Sequence, residues 1–164
     1  MSSASSRSAP LAERIADFLA QPRLAVAGVS ATRQLPGSLI YRKLKAAGHQ
    51  VVAILPGATT FDGDPCYPDF ATIPGGVAGV VIATRPALTT ELVRQAIAAG
   101  VPRVWLHESM ARSGTSVSAE AVRLCQERGI TLIAGACPMM YCAPVDVPHR
   151  CMHWVMRVTG GLPN

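Results

Sequence analysis

One loop combines several residue types that can bind a phosphate group. It follows the apolar block 24–29 and leads into a helical segment. Glycine allows a tight turn, hydroxyl groups donate hydrogen bonds, the guanidinium of Arg33 pairs with phosphate oxygens, and N–H groups at a helix start favour the same anion. A plain strand-to-helix turn is the alternative interpretation, because every such connection needs a loop. The residues that carry the phosphate prediction are Gly28, Ser30, Thr32, Arg33, Gly37 and Ser38.

The loop lacks the common nucleotide-binding fingerprints. Its spacing, G-x-S-x6-G, has no second glycine where G-x-G-x-x-G requires one, and G-x-x-x-x-G-K-[ST] occurs nowhere in the chain. The second apolar block ends at Leu55 without an acidic residue for the ribose of NAD, and 57–60 supplies no basic residue for NADP. An oxidoreductase with an atypically bound NAD(P) therefore stays an alternative function, and ATP hydrolysis loses support.

The pair His107-Glu108 offers a base and a carboxylate at the end of another apolar block, where catalytic residues often collect. Neighbouring residues on an extended strand point to opposite faces, so these two side chains would not meet. We therefore expect His107 to be a hydrogen-bonded loop histidine. No catalytic residue is predicted, which favours a binding protein over an enzyme.

Cysteine and histidine residues gather near the carboxyl terminus, at Cys137, Cys142, His149, Cys151 and His153. Thiolates and imidazoles suit zinc. However, the tail has no C-x2-C pair and matches no established ligand spacing. We therefore predict buried free cysteines rather than a metal site. A thiol or metal sensor built on this tail stays a second alternative function.

Five apolar blocks alternate with helical segments and must position these loops. Each block is continuously apolar, which is typical of parallel strands covered on both faces. Right-handed crossovers then give a single doubly wound, Rossmann-like α/β domain of about five strands, with ligands beyond the carboxyl ends of the strands. The predicted strands are 23–29, 51–55, 79–83, 103–107 and 130–134, and the predicted helices are 10–20, 38–47, 86–99, 116–128 and 149–158.

Composition and charge exclude several classes of protein. Hydrophobic residues make up 49% of the 164 residues, yet no apolar run reaches the roughly 18 residues of a membrane span. Fifteen Lys and Arg against ten Asp and Glu give a net charge of +5. Because the basic residues are dispersed and rarely adjacent to aromatic residues, a small anionic ligand is favoured over nucleic acid. The sequence does not indicate an oligomeric state.

The two ends of the chain are predicted to flank one central domain. Segment 1–9 is serine-rich and lacks the apolar core of a secretory signal, which predicts a disordered tail and a cytoplasmic protein with reduced thiols. The Rossmann-like domain is predicted to cover 10–140. Segment 141–164 is predicted to be an extension that packs on the same domain.

A set of short stretches resembles a known family when taken in order. They are LAVAGVS at 24–30, GHQVVAILP at 48–56, CYPDFATIP at 66–74, ATRP at 83–86 and VWLHE at 104–108, with CPMM at 137–140 and VDVPHRCMHW at 145–154. No single stretch is specific. Together, over residues 11–158, they resemble the small stand-alone CoA-binding domain proteins, which share their fold with the N-terminal domain of succinyl-CoA synthetase α subunits.

The resemblance implies that the chain binds coenzyme A or an acyl-CoA. It places the CoA diphosphate at the loop 28–38 and the adenosine beside Pro56. It also places the pantetheine arm along Thr84, Arg85 and Pro86.

The chain departs from this family directly after the second predicted strand. Gly57 and Ala58 stand where many relatives carry a basic residue that can meet a nucleotide phosphate. The resemblance therefore leaves the contact to the 3′-phosphate of CoA unassigned. Arg33 and Arg42 are the candidates to replace it.

If the cysteines of the tail are structural, the purified protein should hold well under one zinc ion per chain. A chelator such as EDTA should then leave the melting temperature unchanged, because no ligand set is lost. Elemental analysis and thermal melts check both points. A stoichiometric zinc ion whose removal unfolds the protein would contradict this prediction and support the metal sensor.

Overall fold

A mixed seven-stranded sheet lies at the centre of the protein and gives it the predicted Rossmann-like α/β fold. The computed structural model describes residues 9–109, 114–144 and 147–160. The strands are β1 (Arg23–Ala27), β2 (Gln50–Ile54), β3 (Thr60–Phe61), β4 (Asp64–Tyr67), β5 (Gly79–Ile82), β6 (Arg103–His107) and β7 (Thr131–Ala136). The helices are α1 (Leu11–Leu19), α2 (Pro36–Ala46), α3 (Pro86–Ala98), α4 (Ala119–Glu127) and α5 (Val147–Thr159), with a 3₁₀ turn over Pro138–Met140.

The strand order is β3-β4-β2-β1-β5-β6-β7, and all neighbours are parallel except β3 and β4. Alternate side chains of β1 point to opposite faces of the sheet. Leu24 and Val26 pack in the core with α1 and α2, whereas Ala25 and Ala27 pack in the core with α3 and α4. Because helices cover both faces, the central strands are apolar throughout.

The face that α1 covers is centred on Trp105, which is fully buried on β6. Its indole Nε1–H donates to the carbonyl oxygen of Ala136 at 2.9 Å, and its ring meets Phe18 of α1 edge to face with centroids 5.3 Å apart. Arg103 at the start of β6 adds a bidentate ion pair with Asp17 of α1, at 2.7 and 3.1 Å. These contacts hold α1 across the sheet.

Two strands that the sequence did not predict extend the sheet beyond β2. Asp62 and Gly63, with φ angles of 53° and 85°, form the two-residue turn between β3 and β4. This type of turn favours a hairpin. Phe61 and Cys66 bury their side chains in the core, although the strands have only two and four residues. Such short strands show no hydrophobic period, and pairing with β2 stabilises them.

Several predicted boundaries are wrong by two or three residues. Helix α2 begins at Pro36 rather than at 38, because proline fits the first helical turn, which needs no N–H donor. Helix α4 begins at Ala119 rather than at 116, because the Ser118 hydroxyl caps it and accepts a hydrogen bond from the N–H of Ala121 at 3.4 Å. Helix α5 begins at Val147 rather than at 149.

Near the carboxyl terminus, α5 packs against the 3₁₀ turn. Residues 1–8 of the predicted disordered tail lie outside the described residues. Within the described part of the chain, no helix has the length and apolar character that crossing a membrane requires.

Three backbone segments meet closely at Gly28, directly after β1. A Cβ atom added to Gly28 would lie 2.2 Å from the carbonyl oxygen of Ala83, which follows β5, and the φ angle of Gly28 is +101°. A Cβ atom added to Gly37, in the first turn of α2, would lie 2.4 Å from the carbonyl oxygen of Gly28. Both positions therefore require glycine, and their contact fixes where α2 begins relative to β1 and β5.

The substitution Gly37→Ala should destabilise the fold, because its methyl group would collide with backbone rather than with a flexible side chain. Overpacking of this kind costs about 2–3 kcal/mol, which lowers the melting temperature by roughly 5–10 °C in a protein of this size. Gly48→Ala is the control, since a Cβ atom there meets nothing within 4 Å and only its left-handed backbone is strained. Equal melting temperatures for the two variants would contradict the proposed contact.

Candidate functional site

A cavity of about 880 Å³ lies at the carboxyl edge of the sheet, across the ends of β1, β5 and β6. Its lining residues come from the loop after β1, from the segment 83–88 after β5, and from His107 and 114–116 after β6. Those from the loop after β1 are Gly28, Val29, Arg33, Leu35 and Pro36. In the sheet, β1 lies between β2 and β5. The chain continues from β1 to β2 on one side and later returns to β5 on the other, so the cavity lies where the direction of the strand order reverses. Ligands bind at this place in open α/β sheets.

The serines of the first loop shape its backbone. The hydroxyl oxygen of Ser30 accepts hydrogen bonds from the N–H groups of Thr32 at 3.3 Å and Arg33 at 3.1 Å. The hydroxyl oxygen of Ser38 accepts from the N–H of Ser30 at 3.1 Å. Of these residues, Arg33 lines the cavity. The serines thus hold the turn that presents the guanidinium of Arg33.

Two helices begin at the cavity wall without a side-chain cap. Helix α2 follows Leu35 and helix α3 follows Arg85, and in each a proline occupies the first turn and no acidic residue accompanies it. In each first turn the proline has no N–H and the third N–H donates to the carbonyl of the residue before the helix, Ser38 to Leu35 at 3.0 Å and Leu88 to Arg85 at 2.9 Å. The aligned peptide dipoles still give each helix start a partial positive charge. The cavity therefore receives positive charge from two backbone segments.

The charged side chains in the cavity wall carry the same sign. Arg33 and Arg85 line it, and no acidic residue does so in the part of the chain that the structure describes. On the β5 side, the hydroxyl groups of Thr84 and Thr89 lie 3.1 Å apart, and that of Thr89 donates to the carbonyl oxygen of Arg85 at 3.2 Å. These bonds fix the loop that carries Arg85, and the arrangement suits a polyanion such as a diphosphate.

The ten residues predicted for binding divide between the cavity wall and its surroundings. Gly37 packs against the backbone of Gly28, and Pro56 is exposed beyond the end of β2, away from the cavity wall. Their roles in binding stay predictions. Those that line the cavity are Gly28, Arg33, Thr84, Arg85 and Pro86, and those that do not are Ser30, Thr32, Gly37, Ser38 and Pro56.

The two candidates for the contact to the 3′-phosphate have different surroundings. Arg42 pairs with the carboxylate of Asp62 through two contacts of 3.2 Å, which hold it towards the β3–β4 hairpin. Arg33 instead lines the cavity. Of the two, only Arg33 is therefore positioned to meet a ligand in the cavity.

Three polar residues of the cavity wall were not predicted for binding: His107, Thr115 and Ser116. The expectation that His107 is a hydrogen-bonded loop histidine is wrong, because His107 belongs to β6 and its side chain lines the cavity. His107 is the last residue of β6 and is 3% exposed, and burial lowers the pKa of its imidazole to about 4. Its neighbour Glu108 lies against Gly135, so the expected separation of the two side chains holds. The position of His107 at the carboxyl end of a strand was visible in the sequence, whereas Thr115 and Ser116 follow a loop that no sequence pattern assigned to the cavity.

The prediction of buried free cysteines near the carboxyl terminus holds for Cys137 and Cys142 and is wrong for Cys151, which is exposed on α5. Cys137 and Cys142 are each 3% exposed, and burial raises the pKa of the Cys142 thiol. The described residues contain no group of three or more His, Cys, Asp or Glu side chains that could hold a metal ion. The side chains of His149 and His153, which belonged to the metal alternative, lie outside the described ones.

Comparisons with known proteins bear on the family and the fold of the chain. A family model described as "CoA binding domain" matches residues 22–143. A hypothetical protein from Pyrococcus horikoshii OT3 is 26% identical, with a TM-score of 0.69 over 81% of this chain and 89% of that chain. The dinucleotide-forming acetyl-coenzyme A synthetase 1 of Ca. Korarchaeum cryptofilum, in complex with phosphate and ADP, is 25% identical, with a TM-score of 0.58 over 69% of this chain and 25% of that chain. No curated protein matches the chain.

The low pKa of His107 should make the protein less stable in mild acid. Between pH 6.5 and 4 the unfolded chain protonates this imidazole while the folded chain does not, so the free energy of unfolding falls by about 3 kcal/mol over that range and not above it. Urea unfolding of the wild type and His107→Gln from pH 7.5 to 4 measures this. The variant should lack this part of the pH dependence, and identical slopes would contradict the assignment.

Proposed function

Because the chain belongs to the CoA binding domain family, we propose that it binds coenzyme A or an acyl-CoA in the cavity at the ends of β1, β5 and β6. One observation carries the proposal: two uncapped helix starts and two arginines supply positive charge to a cavity without an acidic residue among its described lining residues. This charge suits the diphosphate of the ligand, and a volume of about 880 Å³ suits a molecule of that size.

The parts of the ligand are assigned by the charge of the wall. The diphosphate lies at the start of α2, where Arg33 and backbone N–H groups contact it together. The uncharged pantetheine arm runs past Thr84 and Pro86 towards β6. The adenosine extends past the wall of the cavity towards Pro56, at the end of β2. This direction agrees with the general rule that nucleotides in such sheets place their ribose at the end of the second strand.

The proposed role is binding rather than catalysis. Arg33 and Arg85 supply charge, and the hydroxyl groups nearby fix loops. The G-x-x-x-x-G-K-[ST] loop, which binds nucleotide phosphates in one large group of nucleotide hydrolases, does not occur in the sequence. The chain thus supplies a site that holds and orients a CoA ligand.

Mass spectrometry of the small molecules that purify with the native protein is the direct test. CoA or an acyl-CoA should be the bound species. Isothermal titration with CoA, dephospho-CoA, ADP and NAD then ranks the ligands on emptied protein. Binding of NAD without binding of CoA would overturn the proposal in favour of an oxidoreductase.

Arg33→Ala should weaken CoA binding about tenfold or more, because a charge-assisted hydrogen bond to phosphate contributes about 1.5–3 kcal/mol. Arg123→Ala is the matched control, since it removes the same charge from the outer surface of α4, where Arg123 pairs with Glu127 at 2.6 Å. At physiological salt, where weak general attraction is screened, the control should bind like the wild type. Equal losses in both variants that vanish at higher salt would show that the loop is not a specific site.

A further inference from the structure

Two buried polar side chains lie at the β6 end of the cavity. His107 and Ser116 are each 3% exposed, and both line the cavity. The N–H of Ser116 donates to the carbonyl oxygen of His107 at 2.8 Å, and the adjoining bridge between Glu108 and Thr115 keeps these two segments side by side. The imidazole and the serine hydroxyl therefore form one small polar surface.

Among the described residues, no side-chain hydrogen bond joins the His107 ring or the Ser116 hydroxyl to another protein group. The polar atoms of both side chains face the cavity rather than a sealed interior. By contrast, the hydroxyl of neighbouring Thr115 accepts from the N–H of Val117 at 3.0 Å. Buried polar groups in folded proteins are nearly always paired, and leaving them unpaired costs stability. A ligand that fills this end of the cavity displaces the water that can pair with these two groups, so it must offer hydrogen-bonding atoms in their place.

The chemistry of this surface differs from that of the phosphate end. Burial alone shifts the pKa of His107, to about 4, so the ring is neutral at physiological pH and offers one N–H donor and one acceptor nitrogen. A serine hydroxyl is likewise neutral. Such a surface suits an uncharged group with a hydrogen-bond acceptor, whereas a phosphate finds its partners at Arg33 and Arg85.

The position of this surface determines which part of a bound ligand can reach it. Strand β5 separates β6 from β1, so His107 lies about 10 Å along the sheet from the start of the first loop. A ligand with its diphosphate at Arg33 reaches His107 only with its uncharged arm. We infer that His107 and Ser116 hold the carbonyl oxygen of an acyl thioester, so that the cavity selects acyl-CoA over CoA with a free thiol; this inference rests on the proposed function.

The selectivity follows from hydrogen bonding. The carbonyl oxygen of a thioester has two lone pairs and accepts from both the imidazole N–H and the serine hydroxyl. A free thiol is a weak donor and a weak acceptor, and it leaves both buried groups poorly satisfied. The wild type should therefore bind acetyl-CoA about tenfold more tightly than CoA.

Isothermal titration of both ligands with four variants tests the inference. His107→Phe keeps a ring but no donor, and Ser116→Ala removes the hydroxyl, so the ratio of the two affinities should fall towards one in each. His107→Gln retains an N–H donor and should keep most of the preference. Arg33→Ala should weaken both ligands and leave the ratio unchanged, because it acts on the part that the ligands share.

The outcomes separate the two proposals. If neither ligand binds the wild type, the proposed function fails. If both bind equally, or if the preference persists in His107→Phe and Ser116→Ala, the inference is overturned and the proposed function stands. Should His107→Phe fail to fold by circular dichroism, the ratio in Ser116→Ala decides the question.

Discussion

The close contact of three backbone segments at Gly28 is the constraint on which the rest of the site depends. The carbonyl oxygen of Ala83 occupies the place of a side chain at Gly28, and the carbonyl oxygen of Gly28 occupies that place at Gly37. The end of β1, the start of α2 and the end of β5 therefore pack through backbone alone. The loop that begins at Thr84 enters the cavity opposite Arg33 as a result, and α2 and α3 start at the same opening.

Ion pairs elsewhere in the fold leave the positive charge of the cavity uncompensated. Asp62 pairs with Arg42, Asp64 pairs with Lys45, and Asp17 pairs with Arg103. These half-exposed pairs contribute little stability individually, but they tie α2 to the β3–β4 hairpin and α1 to β6. In the described part of the chain, no acidic side chain pairs with Arg33 or Arg85. The charges of Arg33 and Arg85 therefore act together at one edge of the sheet.

The polarity of the cavity changes along its length. The β1 and β5 loops present guanidinium groups and helix starts, while β6 presents the neutral imidazole of His107 and the hydroxyl of Ser116. Burial keeps that imidazole uncharged at physiological pH. A molecule that is anionic at one end and uncharged at the other matches this order, which supports both the proposed CoA ligand and its orientation.

The sequence by itself determined the fold class, the order of the five central strands along the chain and the loop after β1, because each depends on local features. Continuously apolar strands, glycines at helix ends and a loop between a strand and a helix can be read along the chain. The Rossmann-like class and the family are confirmed. The short β3 and β4 were missed, because their stability comes from β2 rather than from their own residues.

Only the tertiary structure decided which of the predicted binding residues meet in one cavity. The hydroxyl of Ser30 turned inward to its own loop, and Arg42 was drawn to Asp62, because each found a partner that is distant or invisible in a linear pattern. His107, which lies 79 positions after Gly28 in the sequence, joined the same cavity because parallel strands bring their carboxyl ends to one edge. Chain order therefore indicates which edge of the sheet binds, whereas burial and pairing decide which side chains remain available there.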